Sequence, residues 1–355
     1  MNRLLSLLIP PLLLLSCATA DGAEPKPPAR GLDIYFIDTE GGAATLIVTP
    51  QGESVLIDCG NPGPRDAERI HKVATEKAGL KAIDHMAITH WHTDHYGGAA
   101  RLVELMPIHN FYNRGIPDKL DDDPTNFPLL IAAYRKACKD KSRTLKPGEE
   151  IPLKQTDGGP AVKLFCLCSA GEFVPDKKGA AENPLAKDHK PKAEDKSDNA
   201  KSLGFLLSYG NFRFLDLGDL TWNNEFRLVA PTDKIGPVDV YQVTHHGLDI
   251  SSNEVLLRTV KPRVAVFNNG PHKGCMPAVT TALRRLPEPP VIYQVHENLD
   301  VKAQENTDPE FIANPGKECA GESIKLAVAG DGKSYAVTVG SKGKPKTYQT
   351  RGGDK

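Results

Sequence analysis

Residues 83–98 read IDHMAITHWHTDHYGG, a largely apolar run that ends in three histidines and an aspartate within six positions. The whole chain has only 11 histidines, so this is a concentration that an ordinary surface loop seldom shows. At the end of a strand, His90 and His92 lie two residues apart and project to the same side, where two imidazoles can share one cation. Asp94 and His95 fall where the backbone turns toward Gly97, Gly98 and a helix, so they can aim at a neighbouring point. One short segment can thus offer two ligands to each of two divalent ions, and imidazole with carboxylate suits zinc, with iron or manganese also accommodated. The remaining ligands must come from distant parts of the chain. The fold must therefore bring several strand ends together.

The rest of the sequence supplies such strands. LDIYFID, ATLIVTP and SVLIDCG are apolar, β-branched runs separated by glycine-rich turns. RDAERIHKVATEKAGL has helical spacing, as do GGAARLVELM and FPLLIAAYRKACK. Strands resume with SLGFLLSYG and NFRFLDLGD, a hairpin across Tyr209 to Asn211. Next come VDVYQVTHHG, a helix over NEVLLRTV, RVAVFNN, a helix over AVTTALRRL and VIYQV. Ser251 and Glu254 have the spacing of a capping box at the head of the NEVLLRTV helix. Antiparallel hairpins begin each half, and strands then alternate with helices. The expected architecture is an α/β single domain, a four-layer αββα sandwich.

Composition bounds the class. The chain of 355 residues is 39% hydrophobic and carries 44 Lys+Arg against 45 Asp+Glu, so no global field draws it to nucleic acid or membrane. With 6% aromatic residues it shows no stacking platform for nucleic acid. Residues 1–20 have the layout of an export signal: Arg3, then Leu4 to Leu15, then small residues. LLSC places Cys17 as a lipidated terminus, whereas ATA offers cleavage after Ala20, so the expected location is the periplasm or cell envelope, or the medium. Residues 21–30 form a Pro/Lys linker, 31–341 the domain, and 342–355 a polar tail. Within the domain, about 175–198 is rich in Lys, Asp and Pro, with six lysines and six acidic residues, and is expected to be an exposed, flexible insertion that buries nothing. Of seven cysteines, Cys17 is the lipidation candidate. The other six are expected to be buried or disulfide-bonded rather than metal-bound, since Cys166-Leu167-Cys168 lacks zinc-site spacing.

THWHTDHYGG resembles the H-x-H-x-D-H signature of the metallo-β-lactamase superfamily, with the preceding LIDCG and the following helix in matching places. Within it the chain most resembles the hydrolase domain of ComEC-like DNA-uptake competence proteins. IDTEGGAATLIVTPQGESVLIDCG, NAKSLGFLLSYGNFRFLDLGDL and VDVYQVTHHGLDISS carry that resemblance, which would span about Gly31 to Val339. It implies two metal ions held by His90, His92, Asp94, His95, Asp219 and His246, with Asp219 as the bridging carboxylate. Gly218 beside Asp219 allows a close turn. One histidine of VTHHG would complete the second ion, with His246 favoured as ligand and His245 as its catalytic or substrate-facing neighbour. Asp94, His245 and His246 make up the expected catalytic set, and Asp58 would orient a ligand histidine through its other ring nitrogen.

The chain departs from the superfamily pattern in two places. Only His109 and His189 lie between the hexad and Asp219, and neither stands where a third histidine would, so none is assigned. The ComEC-like branch places N-x-x-S-L there, matched by Asn199 and Ser202, which leaves the first ion open to water or a substrate oxygen. Where a Gly-His-Pro element is common, this chain has PHKGCMPAV. Cys275 stands near the histidine's place, and His272 and Lys273 are positioned to contact an anionic substrate. The resemblance implies a hydrolase acting on a phosphodiester or other anionic ester. Lactone or β-lactam hydrolysis, or a metal-holding envelope lipoprotein without turnover, are the alternatives.

Overall fold

The computed structural model describes residues 30–351. The segment expected to be an export signal, with Cys17, lies outside the described residues, as does nearly all of the expected linker. The first three strands, Leu32–Phe36, Thr45–Val48 and Ser54–Ile57, pair antiparallel in sequence order. Ile83–Ile88 and Ile108–Asn113 then add in parallel, each reached through helices. The second half repeats the plan. Val162–Ser169, Gly204–Tyr209 and Phe212–Asp216 pair antiparallel, and Val240–Gln242, Val264–Phe267 and Val291–His296 extend the sheet in parallel. Gly210 and Asn211 make the expected hairpin turn between the second and third of these. Val240–Gln242 and Val264–Phe267 are fully buried, as strands covered on both faces must be.

Three apolar clusters define the layers. One lies between the sheets and joins Phe36, Ile47 and Val55 of the first to Phe205, Phe214 and Val266 of the second. A second packs Ile70, Leu102 and Ile131 of the first half's helices on that half's sheet. The third packs Leu256, Leu257 and Leu283 on the outer face of the second sheet. The arrangement is the αββα sandwich. Among the described residues, no helix is long and apolar enough to cross a membrane.

Three expectations need correction. The polar tail belongs to the domain through residue 351. Lys346–Gln349 pairs with Ser334–Val339, Tyr348 stacks on Tyr335 and shares a hydrogen bond with Tyr293, and Thr350 is buried. Backbone pairing and one tyrosine outweigh the polar composition. The 175–198 segment is mostly exposed yet does bury residues. Asn183 donates to Val229 O and Thr259, and Asp198 pairs with Arg114 and accepts the Trp91 amide at 2.7 Å. Finally, the helix Glu254–Val260 is capped by Asn253, which accepts from the amides of Val255 and Leu256. Ser251 is turned inward and donates to Leu220 O at 2.8 Å.

Candidate metal centre

The strand Ile83–Ile88 delivers Thr89 and His90 to its C-terminal end, and Trp91 anchors the hexad there. The Trp91 indole is buried edge-on to Tyr96 and Tyr134 and donates to Gly115 O, so His90 and His92 are turned away from it toward one hollow. The chain then enters the short helix Thr93–Tyr96 and passes Gly98, where a Cβ would stand 2.1 Å from Cys59 O. Only glycine lets the hexad lie this close to the LIDCG turn.

The other residues arrive from the second sheet. Gly218 takes a left-handed φ of 54°, and a Cβ there would be 2.8 Å from the Thr89 side chain, so the turn after Phe212–Asp216 brings Asp219 against the hexad. His245 and His246 come after Val240–Gln242 with φ of 57° and 54°. Consecutive left-handed non-glycine residues are costly, and such strain concentrates at functional sites.

Asp219 Oδ2 is the hub. It lies 3.3 Å from His95 Nε2, 3.3 Å from His246 Nε2, 3.4 Å from His245 Nε2 and 4.0 Å from His90 Nε2. Asp94 Oδ2 stands 3.5 Å from His95 Nε2 and 3.3 Å from His246 Nε2. Two compact groups result, His90 with His95 and Asp219, and Asp94 with His95 and His246. Of the VTHHG pair, His246 is the one that joins Asp94 and His95. His245 instead faces Asp219 and the Asn199 amide at 3.3 Å. His92 stands at the rim, its Nδ1 3.1 Å from His90 Nε2.

The rear of each imidazole is fixed. His95 Nδ1 donates to Asp58 at 2.7 Å, and Asp58 in turn accepts the Thr89 amide and hydroxyl. His246 Nδ1 donates to the Asn268 carbonyl at 3.2 Å, and His92 Nε2 to Asp122 at 2.8 Å. With those protons engaged, a neutral His95 or His246 turns a lone pair to carboxylate oxygens that are also acceptors, so a proton or a cation must stand between them. His95 Nε2 and His246 Nε2 are fully buried and have no hydrogen-bond partner. Something positive belongs between them. A tetrahedral ion with bonds of about 2.0–2.1 Å has ligand-to-ligand edges of about 3.3–3.4 Å, which is the spacing seen here.

Electrostatics point the same way. Burial works against a charged His95, yet Asp219, Asp94 and Asp58 hold its pKa well above the ordinary value, and against burial and Lys273 the carboxylates of Asp219 and Asp94 raise His246. Burial likewise opposes the charge on Asp219, but His246, His95 and His245 hold it well below the usual carboxylate range. His90 and His245 are pushed down by burial, the latter to about 4, and remain neutral donors of lone pairs. The donor set fits two divalent ions.

Ser202 Oγ accepts the Asp219 amide at 3.3 Å, and Asn199 faces His245 at the hub. Lys273 reaches in and pairs with Asp94. His272 does not: it is largely exposed and pairs with Asp300 at 2.9 Å, because the turn that points Lys273 inward sends its neighbour to solvent. His109 is exposed and His189 stacks on Phe226, both outside the cluster. Sequence reasoning missed Asp122, which sits among three consecutive aspartates, and Asn268, which acts through a carbonyl that any residue carries. The six cysteines among the described residues are free, five of them buried and Cys319 partly so.

Residues 37–162 match the metallo-beta-lactamase superfamily. The chain is 26% identical to Recombination protein 2 of Haemophilus influenzae over 236 residues, 66% of this chain and 24% of that one. It is 37% identical to Ribonuclease Z of Clostridium tetani over 82 residues, 21% of this chain and 24% of that one. The chain thus spans about a quarter of the length of these relatives. Among solved structures it resembles CmlA, a diiron beta-hydroxylase from Streptomyces venezuelae, with TM-score 0.37 and 16% identity, covering 68% of this chain and 45% of that one.

Proposed function

From the match of residues 37–162 to the metallo-beta-lactamase superfamily we infer that the chain is a member of it, and we propose that it is a metal-dependent hydrolase that cleaves a phosphodiester or another anionic ester. The observation that carries this reading is the confrontation of buried acceptors around Asp219, which two cations would resolve. Two divalent ions in these gaps would exceed the charge of Asp94 and Asp219 by about two units, polarise an ester oxygen and make water acidic enough to attack near neutral pH.

The chain's own groups divide the remaining work. Lys273, partly exposed at the edge of the site, offers its ammonium to an anionic oxygen of the substrate once the charge of Asp94 is taken up elsewhere. Ser251 Oγ gives its proton to Leu220 O and accepts from His245 Nδ1 at 3.2 Å. His245 Nε2 therefore faces the site as an acceptor, where it can hold a proton beside the Asn199 amide. The names of the relatives, a ribonuclease and a recombination protein, support phosphodiester chemistry. The near-balanced charge favours a small or wall-type anionic ester over long nucleic acid. The signal-like leader supports action outside the cytoplasm, with Cys17 as a lipid anchor.

The test is turnover of bis-p-nitrophenyl phosphate against a lactone and β-lactam panel, using metal-loaded protein lacking the leader. Phosphodiester turnover at least tenfold above the lactones is expected. Turnover of lactones alone would overturn the substrate class. Two bound ions with no turnover on any panel would overturn the enzyme reading itself.

A further inference from the structure

Away from the hub, a second set of metal-ligating side chains converges. Asp38 lies just past the strand Leu32–Phe36, His296 ends Val291–His296, and Cys319 lies in the loop before Ile324–Val328. His296 Nε2 is 2.9 Å from Asp38 Oδ1, Cys319 Sγ is 2.8 Å from Asp38 Oδ2, and the sulfur and the nitrogen are 3.4 Å apart. Asp38 and His296 are buried and Cys319 is partly so. We propose that Asp38, His296 and Cys319 form a separate mononuclear site for a zinc-type divalent cation, with one position left to solvent.

The donor chemistry selects the ion. A thiolate with an imidazole and a carboxylate suits zinc and its relatives, whereas calcium and magnesium take oxygen. Local charge is compatible. Arg69 pairs with both Asp38 and Glu40, at 2.8 Å each, and donates to Cys319 Sγ at 3.4 Å, yet two carboxylates and a thiolate exceed its single charge. Arg65, on the other oxygen of Glu40, is itself paired with Asp66. Without a cation, protons on Nε2 and on the thiol hold the triangle together. Cation binding would send the thiol proton to solvent and leave the imidazole proton on Nδ1, a buried nitrogen that has no hydrogen-bond partner.

The position gives the site a structural role. From Asp38 the chain runs through Glu40 and Gly41, both at left-handed φ, to Ala43, whose amide donates to Asp94 O at 3.1 Å. A Cβ on Gly41 would stand 3.1 Å from Lys273 Cβ. Beyond His296, Asn298 donates to Gly274 O and the Leu299 amide to Pro271 O. The cluster therefore clamps two segments that wall the loop carrying Lys273.

Cobalt substitution followed by absorption tests this. The hub offers only nitrogen and oxygen, so a thiolate-to-cobalt charge-transfer band reports Cys319. The wild-type protein should show the band and one equivalent of metal beyond those at the hub. Cys319→Ser should lose both, while Asp219→Ala should keep the band. In the wild type alone, zinc should slow maleimide labelling of Cys319 at least tenfold and a chelator should restore it. Absence of the band, with labelling indifferent to zinc and chelator, would overturn the proposal whether or not the variants fold. None of these readouts depends on hydrolysis.

Discussion

Asp122 illustrates how a side chain far from any motif fixes a histidine at the rim of the hub. Its carboxylate takes the Nε2 proton of His92 and also the amide of Asp198 at 2.8 Å, so the ring can present only Nδ1 to His90. Burial opposes its charge, yet those two donors hold its carboxyl below the ordinary value. Such partners behind a ligand histidine are commonly worth about 10–100-fold in metal affinity. Asp122→Asn should therefore weaken the more labile of the two hub ions by about that factor, measured by competition with a chromophoric chelator. Circular dichroism should remain unchanged, because Asp122 sits in an exposed loop. An unaltered affinity would mean that His92 takes no part in holding an ion.

At the scale of elements, the helix Glu254–Val260 depends on Asn253 rather than on the Ser251–Glu254 pair that its spacing suggested. Asn253 Oδ1 serves two amides of the first turn, and its Nδ2 reaches Trp222 O and His189 Nδ1 of the inserted segment. Asn253→Ala should cost about 1–2 kcal/mol in urea unfolding, whereas Glu254→Gln should cost little. The spacing rule failed because Ser251 was claimed by a longer-range partner, the ring of His245. The same lesson applies to the 175–198 insertion. Its composition speaks for solvent, but Arg114, 84 residues from Asp198, gives that carboxylate a buried counter-charge no local window contains. Elements whose identity rests on apolar periodicity were legible. The convergence of His90, Asp94 and His95 was legible from their spacing at a strand end, whereas Asp219 was reached only through the family resemblance. Lys346–Gln349 was not, since backbone pairing leaves no pattern in side chains.

For the whole molecule, a buried carboxyl couples stability to pH. Burial lifts Glu225 from 4.5 to about 7, against the opposing hydrogen bond from the Asn253 amide. Its folded pKa lies above the unfolded one, so the native state holds the extra proton between these values. That contribution is fully present below about pH 4.5 and is lost as pH rises through about 7, on the order of 3 kcal/mol in all. Glu225→Gln mimics the protonated form. The variant should gain stability over the wild type at pH 8 and lose that advantage by pH 5, as read from thermal unfolding of metal-free protein. Equal pH profiles for the two would refute the assignment.

The hub also straddles the polypeptide. His90, His92, Asp94 and His95 belong to the first half, and Asp219, His245 and His246 to the second. Neither half carries a full coordination sphere, and the last strands return to flank the first, with Leu32–Phe36 paired to Ile324–Val328. Uptake of the proposed ions would thus have to wait until the two halves have docked, so a copy cut between them would remain a metal-poor bystander.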